Sequence, residues 1–268
     1  MDRTTWLWLG TLTFALGFIG LLAMGWRRRT RDEESHWLIH LFVVLTAFTS
    51  YLIMASGGGR LLTDGREVFF IRYVDWAVTT PLLLLGLSLT ALHTPFRRWA
   101  LVLGLLFTDV YMILTGLLAD LSPSGSAIKW TWYLVSSGAF LFLYLCLWGA
   151  MQREAGKTGG LADNVYRRNL TFLSIVWAFY PFNFLFGPEG LKLLDPTASI
   201  AIYAVLDVAA KVIFGFYSFA NTRARTTAEL MEGEVPAHDL RPSPEAHHEL
   251  WAPGRTEAAE PRMAEEAR

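Results

Sequence analysis

Apolar residues run in long uninterrupted blocks along this chain, with neither the two-residue alternation of strands nor the one-sided stripe of soluble helices. Seven blocks can be marked off, at roughly residues 4–26, 36–57, 68–92, 96–119, 128–151, 164–186 and 199–220. Each is about 20 residues long, enough for a helix to cross about 30 Å of hydrocarbon. Inside lipid every backbone amide must be satisfied within its own segment, so the blocks are expected to be helices. The breaks carry turn residues, such as Gly57-Gly58-Gly59, His93-Thr94-Pro95, Ser122-Pro123-Ser124-Gly125 and Gly187-Pro188-Glu189-Gly190. The first block has no small-residue cleavage site and is followed by basic residues, so it reads as a retained helix. The pattern predicts an all-α membrane protein, a seven-transmembrane-helix bundle.

The basic residues orient it. Arg27–Arg29 and Arg31, Arg97 and Arg98, Arg153, Lys157, Arg167 and Arg168, and Arg223 and Arg225 all fall on one side if there are seven spans. That side is expected to be cytoplasmic, with the N-terminus outside and the C-terminus inside; six spans would break the alternation. The chain divides into a helical domain, 1–220, and a polar acidic tail, 221–268, whose composition predicts disorder. His247-His248 in that tail reads as a solvated pair, and no metal site is expected.

Composition narrows the classes further. With 53% apolar and 18% charged residues the chain is too poorly charged for an ordinary soluble enzyme. A net charge of -1 argues against a nucleic-acid binder. The single cysteine, Cys146, excludes a disulfide framework and any multi-cysteine metal site.

The informative residues are therefore the charges inside the blocks, where each is costly. Of the four lysines only Lys211 sits mid-block, with Asp207 one turn before it. The pair reads either as a structural ion pair or as a lysine whose amine forms a Schiff base with a carbonyl ligand. In the third block, Asp75 and Thr79 share a helix face, Arg72 lies one turn outward, and Pro81 weakens the helical ladder. In the expected orientation both carboxylates lie level with Lys211 or outward of it, so a proton leaving that nitrogen finds acceptors on the outer side.

Three runs carry a family resemblance: Arg72-Tyr73-Val74-Asp75-Trp76 with Thr79-Thr80-Pro81, Trp177-Ala178-Phe179-Tyr180-Pro181, and Asp207-Val208-Ala209-Ala210-Lys211. They resemble the third, sixth and seventh helices of the microbial (type 1) rhodopsins of the bacteriorhodopsin and proteorhodopsin kind, and the likeness covers essentially all seven helices. The resemblance implies all-trans-retinal in the bundle core, bound to Lys211 as a protonated Schiff base. Asp75 would be the counterion and proton acceptor, Asp207 the second counterion, and Arg72 the organiser of the outer network. Tyr51 and Tyr180 would lie near the counterions. The pocket would be Trp76, Thr80, Leu83, Met112, Gly116, Tyr133, Ser136, Ser137, Phe140, Trp177, Tyr180, Pro181 and Phe184, with Asp109 bonded to Thr80. Aromatic and apolar walls suit a polyene.

The departures matter as much. Tyr133 and Phe184 stand where bacteriorhodopsin has tryptophans. Tyr133 also stands where carotenoid-antenna relatives keep a glycine, which argues against an antenna carotenoid. Leu83 resembles the green-absorbing relatives. Gly86 stands where outward pumps carry a carboxylate donor, so Asp75, Thr79 and Gly86 resemble the smaller Asp-Thr-Gly group of proton pumps. Gly86 lies roughly 16 Å inward of Asp75 along the helix. His40, about one turn from the inner start of the second block, should share that depth and is the candidate proton relay, its imidazole titrating in a useful range. His36 reads as a residue at the membrane interface. Glu189 aligns with one release glutamate and Ser199 replaces the other; Glu189 is read first as an exposed loop carboxylate, with proton release as the second reading.

The leading expectation is a light-driven outward proton pump in the cell membrane, moving protons across the lipid bilayer. The alternative is a sensory rhodopsin signalling through a transducer, since sensors also lack the donor carboxylate. Asp75 argues against a chloride pump, and the absence of an Asn-Asp-Gln pattern against a sodium pump. A conventional enzyme finds no support, because the lysine would hold a chromophore and turn over no substrate. Relatives commonly form trimers or pentamers, so a homo-oligomer is expected.

Overall fold

A computed structural model of the chain describes residues 1–27, 30–92, 98–233 and 240. Arg28, Arg29, Arg97, the 93–95 break, His247, His248 and all but one residue of the tail beyond 233 lie outside the described residues. Among the described residues there are seven helices long and apolar enough to cross a membrane: α1 (Arg3–Met24), α2 (Arg31–Ala55), α3 (Phe70–Ala91), α4 (Trp99–Leu121), α5 (Ala127–Thr158), α6 (Gly160–Phe186) and α7 (Pro196–Glu232). Their starts follow from capping chemistry. Asp2 accepts from the Thr5 amide at 2.8 Å, Thr30 from Glu33 at 3.2 Å, and Asp195 from Thr197 and Ala198 at 2.8 and 3.1 Å, with Pro196 in the first helical turn. Each satisfies amides the helix leaves without a partner.

The helices form a closed ring. α1 packs on α2 and α7, α2 on α3, α3 on α4, and α4 on α5. α5 meets α6 through Tyr144 Oη donating to the Ser174 carbonyl at 2.7 Å and Tyr166 Oη donating to the Leu147 carbonyl at 2.8 Å. Burial is inverted relative to a soluble protein. Leu12, Leu16, Phe107, Leu134 and Phe182 are exposed, whereas Asp75, Asp109, Asp207 and Lys211 are at most 1% exposed. Apolar side chains on the rim suit lipid; polar ones in the middle must satisfy one another.

Two segments depart from regular helix. α5 widens over Leu147–Met151 and α7 over Ala209–Ile213, both with π-type geometry. Such bulges recur at functional positions, and the second carries Lys211.

The boundaries differ from those expected. α5 continues to Thr158 and α6 begins at Gly160, the turn between them resting on Gly159 at φ 131°. α7 does not end near residue 220 but continues to Glu232, so residues 221–232 are helical and not part of a disordered tail. The physical reason is that this polar extension packs back on the bundle. Thr222 and Arg225 are buried, and Arg225 Nη2 pairs with Asp32 at the start of α2.

One element went unread in the sequence. Between α2 and α3 a hairpin pairs β1 (Leu61–Thr63) with β2 (Arg66–Val68), antiparallel, with Thr63 opposite Arg66. Its two turn residues, Asp64 and Gly65, both have positive φ, 53° and 70°. That is the Asp-Gly signature of a tight hairpin turn. The hairpin is pinned to the end of α4 by Arg66 paired with Asp120 and by the Ser124 amide donating to Asp64 at 2.9 Å.

Candidate functional site

Lys211 projects from the widened turn of α7 into the middle of the bundle. Its Nζ pairs with the Asp75 carboxylate from α3 and lies 3.2 Å from Asp207 Oδ1, one turn earlier on α7. The two carboxylates are not equivalent. Asp207 accepts from Tyr51 Oη at 2.7 Å, Tyr180 Oη at 2.9 Å and Trp76 Nε1 at 3.0 Å. Asp75 has Lys211 on Oδ2, while Oδ1 is buried with no hydrogen-bond partner among the described residues. Thr79 spends its hydroxyl on the Asp75 carbonyl, at 2.8 Å. Arg72 lies over the Tyr203 ring, 4.3 Å from its centroid, and is 5% exposed, with no hydrogen-bond partner for Nε or Nη2 among the described residues.

A cavity of about 110 Å³ has Lys211 among its lining residues. Every pocket residue expected from the sequence lines it: Trp76, Thr80, Leu83, Met112, Gly116, Tyr133, Ser136, Ser137, Phe140, Trp177, Tyr180, Pro181 and Phe184. Tyr51 does not; it serves the site by holding Asp207. Tyr133 and Phe184 stack at 5.3 Å and 17°, closing one wall as a pair. Asp109 also reaches the cavity and accepts from Thr80 at 2.6 Å. Tyr73, Ile113, Tyr203 and Ala210 line it too and were missed. Tyr203 was within reach, since it sits four residues before Asp207 and shares its helix face. Nothing in the sequence marks Tyr73, whose place depends on how α3 leans on α4.

Toward the other end of α3, a Cβ built on Gly86 would meet only Ile39 Cγ2, at 3.8 Å, so the two helices do bring His40's neighbour to that depth. His40 is 1% exposed, both ring nitrogens lack partners among the described residues, and the ring meets Phe214 edge-on at 5.6 Å. It lies deeper than one turn into α2, which begins at Arg31. His36 is not an interfacial residue. It is fully buried, with Nε2 3.0 Å from Thr90 Oγ1 and Nδ1 3.0 Å from the Asp32 carbonyl. Four residues apart on one helix, both histidines turn inward to α3 and α7 instead of outward to lipid.

Glu189 is not a freely exposed loop carboxylate either. Its Oε2 is buried without a hydrogen-bond partner among the described residues, and its carbonyl accepts from Lys129 Nζ at 3.0 Å. Loss of water around the carboxyl, reinforced by nearby Asp120, pushes it up to about 7. Ser199 is engaged by Asn183 Nδ2, at 3.1 Å to its carbonyl and 3.3 Å to its hydroxyl.

The sequence profile of the bacteriorhodopsin-like proteins matches residues 1–224. The chain belongs to the bacteriorhodopsin-like family. Bacteriorhodopsin of Haloterrigena sp. (strain arg-4) is 34% identical over 218 residues, 80% of this chain and 85% of the relative. Among solved structures, the thermophilic rhodopsin from Rubrobacter xylanophilus superposes with a TM-score of 0.80 at 31% identity, over 84% of this chain and 97% of that one. The light-driven proton pump rhodopsin of Coccomyxa subellipsoidea superposes with a TM-score of 0.74 at 31% identity, over 81% and 96%. This rhodopsin is thus a multi-pass protein of the cell membrane, and light-driven proton pumps are among the proteins it resembles.

Family membership implies a retinal chromophore, and the residues present fit one. Rings and aliphatic groups wall a cavity that is also lined by a buried amine flanked by two carboxylates. That is the lining and the reactive group that a polyene aldehyde requires.

Proposed function

We propose that this rhodopsin is a light-driven outward proton pump, with all-trans-retinal carried on Lys211 and Asp75 as the proton acceptor. The supporting observation is the asymmetry of the two carboxylates. Three neutral donors hold Asp207 as the anion, and hydrogen bonds to the charged form keep a carboxylate charged. Asp75 shares the lysine but keeps one bare oxygen, so it is the group able to take a proton from Lys211 Nζ. Retinal, when bound, supplies the light-driven change of shape that alters the proton affinity of that nitrogen. Trp76, Tyr180 and Trp177 line the cavity and keep water from it. Arg72, on the outer side of Asp75, stabilises the carboxylates and leads outward toward Glu189.

The basic helix ends support the direction. Arg98 pairs with Glu154 at 3.0 Å, Arg223 donates to the Met24 carbonyl at 3.3 Å and Arg225 pairs with Asp32, which gathers one set of helix ends into a single face. By the positive-inside rule that face is cytoplasmic, and it lies at the Gly86 end of α3. No carboxylate stands at residue 86, so the nitrogen is reprotonated by way of His40, whose unpartnered ring nitrogens are free to carry the proton.

Light-driven acidification of a suspension of expressing cells, abolished by a protonophore, is the expected result. Its absence, together with a photocycle lasting seconds, would overturn the pump in favour of a sensor. A homo-oligomer of this rhodopsin is part of the same proposal and is read by mass measurement in nanodiscs.

A further inference from the structure

The geometry points to Asp120 as the second carboxylate of an outer proton-holding site built around Glu189, replacing the one that position 199 lacks. The inference rests on the outward-pump reading only for its use in release; the site itself stands on geometry. A cleft opening at the outer face is lined by both carboxylates and reaches down to Arg72. Glu189 Oε2 is buried beside it without a partner among the described residues. Ser199 lines the same cleft, but its hydroxyl is engaged with Asn183 and carries no charge.

The two carboxylates divide the work. Asp120 is held on both carboxylate oxygens: Arg66 Nη1 reaches its Oδ1 and Tyr73 Oη donates to Oδ2 at 3.0 Å, while Arg66 Nη2 reaches its carbonyl. Glu189 has no such donor on its buried Oε2 among the described residues, and burial shifts it toward the protonated form. Lys129 Nζ fixes the Glu189 main chain rather than neutralising the carboxyl. The charged and titratable groups facing Glu189 come from every element around it: Arg66 from β2, Arg72 and Tyr73 from α3, Asp120 from α4, Lys129 from α5 and Tyr203 from α7. Lys192 and Asp195 lie in the same connection as Glu189, and Arg3, Asp64 and Glu67 line the outer rim of the cleft. Of the carboxylates, Asp120 is the one that acts on Glu189 by its negative charge. Tyr73 also lines the chromophore cavity, so Asp120 sits one side chain from the chromophore and beside the proton holder. Asp120 is thus a positioning residue that sets the pH at which Glu189 keeps its proton.

The sign follows directly. Glu189 is raised to about 7, so below that pH it holds a proton in the dark and above it has none to release. Removing the Asp120 charge makes ionisation of Glu189 easier and lowers the midpoint. Removing Arg66 leaves Asp120 uncompensated and raises it. Each change is expected to be roughly 1 pH unit.

The test is an infrared titration of the dark full-length protein, following the protonated carboxyl band that disappears in Glu189→Gln. The expected midpoint lies near 7, moving down in Asp120→Asn and up in Arg66→Gln. A pH-indicator dye after a flash then reads prompt proton release, expected to be lost in Glu189→Gln and, in Asp120→Asn, confined to lower pH. Midpoints that do not move, that move together, or prompt release that survives Glu189→Gln would overturn the inference. Failure of the wild type to acidify its medium in continuous light would instead remove the pump reading, leaving the dark titration to decide the site.

Discussion

The two halves of the bundle, divided at Lys211, are built on opposite principles. The outer half holds Asp75, Asp207, Arg72, Asp120, Lys129 and Glu189, with tyrosines and Trp76 donating between them. The inner half is mostly Leu83, Leu84, Leu87, Leu173 and Phe214, packed into one apolar cluster, with Gly86 beside its Ile39 and His40, without hydrogen-bond partners among the described residues, edge-on to its Phe214. A charge arriving in the outer half meets dipoles already aimed at it; in the inner half it meets hydrocarbon. Electrostatics in a low dielectric makes that difference decisive. On the proposed pump reading, the direction of transport follows from where protons are stabilised, with the lysine at the border.

The largest expected effect removes the border itself. Lys211→Ala should abolish the visible band formed with all-trans-retinal, read by absorption spectroscopy of the purified protein. Next comes the outer acceptor: Asp75→Asn should cut light-driven acidification by about 100-fold or more, the usual weight of a positioned acid or base. In the inner half, His40→Ala should slow late recovery of the dark state about tenfold in flash photolysis; an unchanged rate would sink the relay. Gly86→Asp, which gives this site a carboxylate, should speed that recovery about threefold and rescue His40→Ala, because a Cβ at Gly86 meets only Ile39 Cγ2, at an ordinary 3.8 Å. The smallest effect lies at the outer rim. Gly65→Ala in the hairpin turn, at φ 70°, should cost roughly 1–2 kcal/mol, seen as a lower Tm with an unchanged spectrum.

Much of this was legible in the sequence. Seven apolar blocks gave seven helices, because lipid leaves a backbone no other way to satisfy itself. Most of the residues lining the cavity were expected from the family resemblance, which three short motifs carried and the whole bundle extended. The failures share one cause. His36, Glu189 and residues 221–232 were read as interfacial, exposed or disordered from their own polarity. Each is instead buried or ordered by a partner distant in the chain: Thr90 for His36, Lys129 for Glu189, Asp32 for Arg225. A polar residue near a helix end looks the same in sequence whether its partner is water or another helix.

The sequence by itself determined the class of molecule, the number of spans, the lysine and the two acidic residues near it, since burying a charge in a membrane is too costly to occur without use. Tertiary structure alone decided which carboxylate is held and which is left an open oxygen. Tyr51, Trp76 and Tyr180 converge on Asp207 from three helices, and Arg66 and Tyr73 reach Asp120 from the hairpin and α3. Hydrogen bonds are short and directional, so the role of each charge depends on atoms that only folding brings within 3 Å.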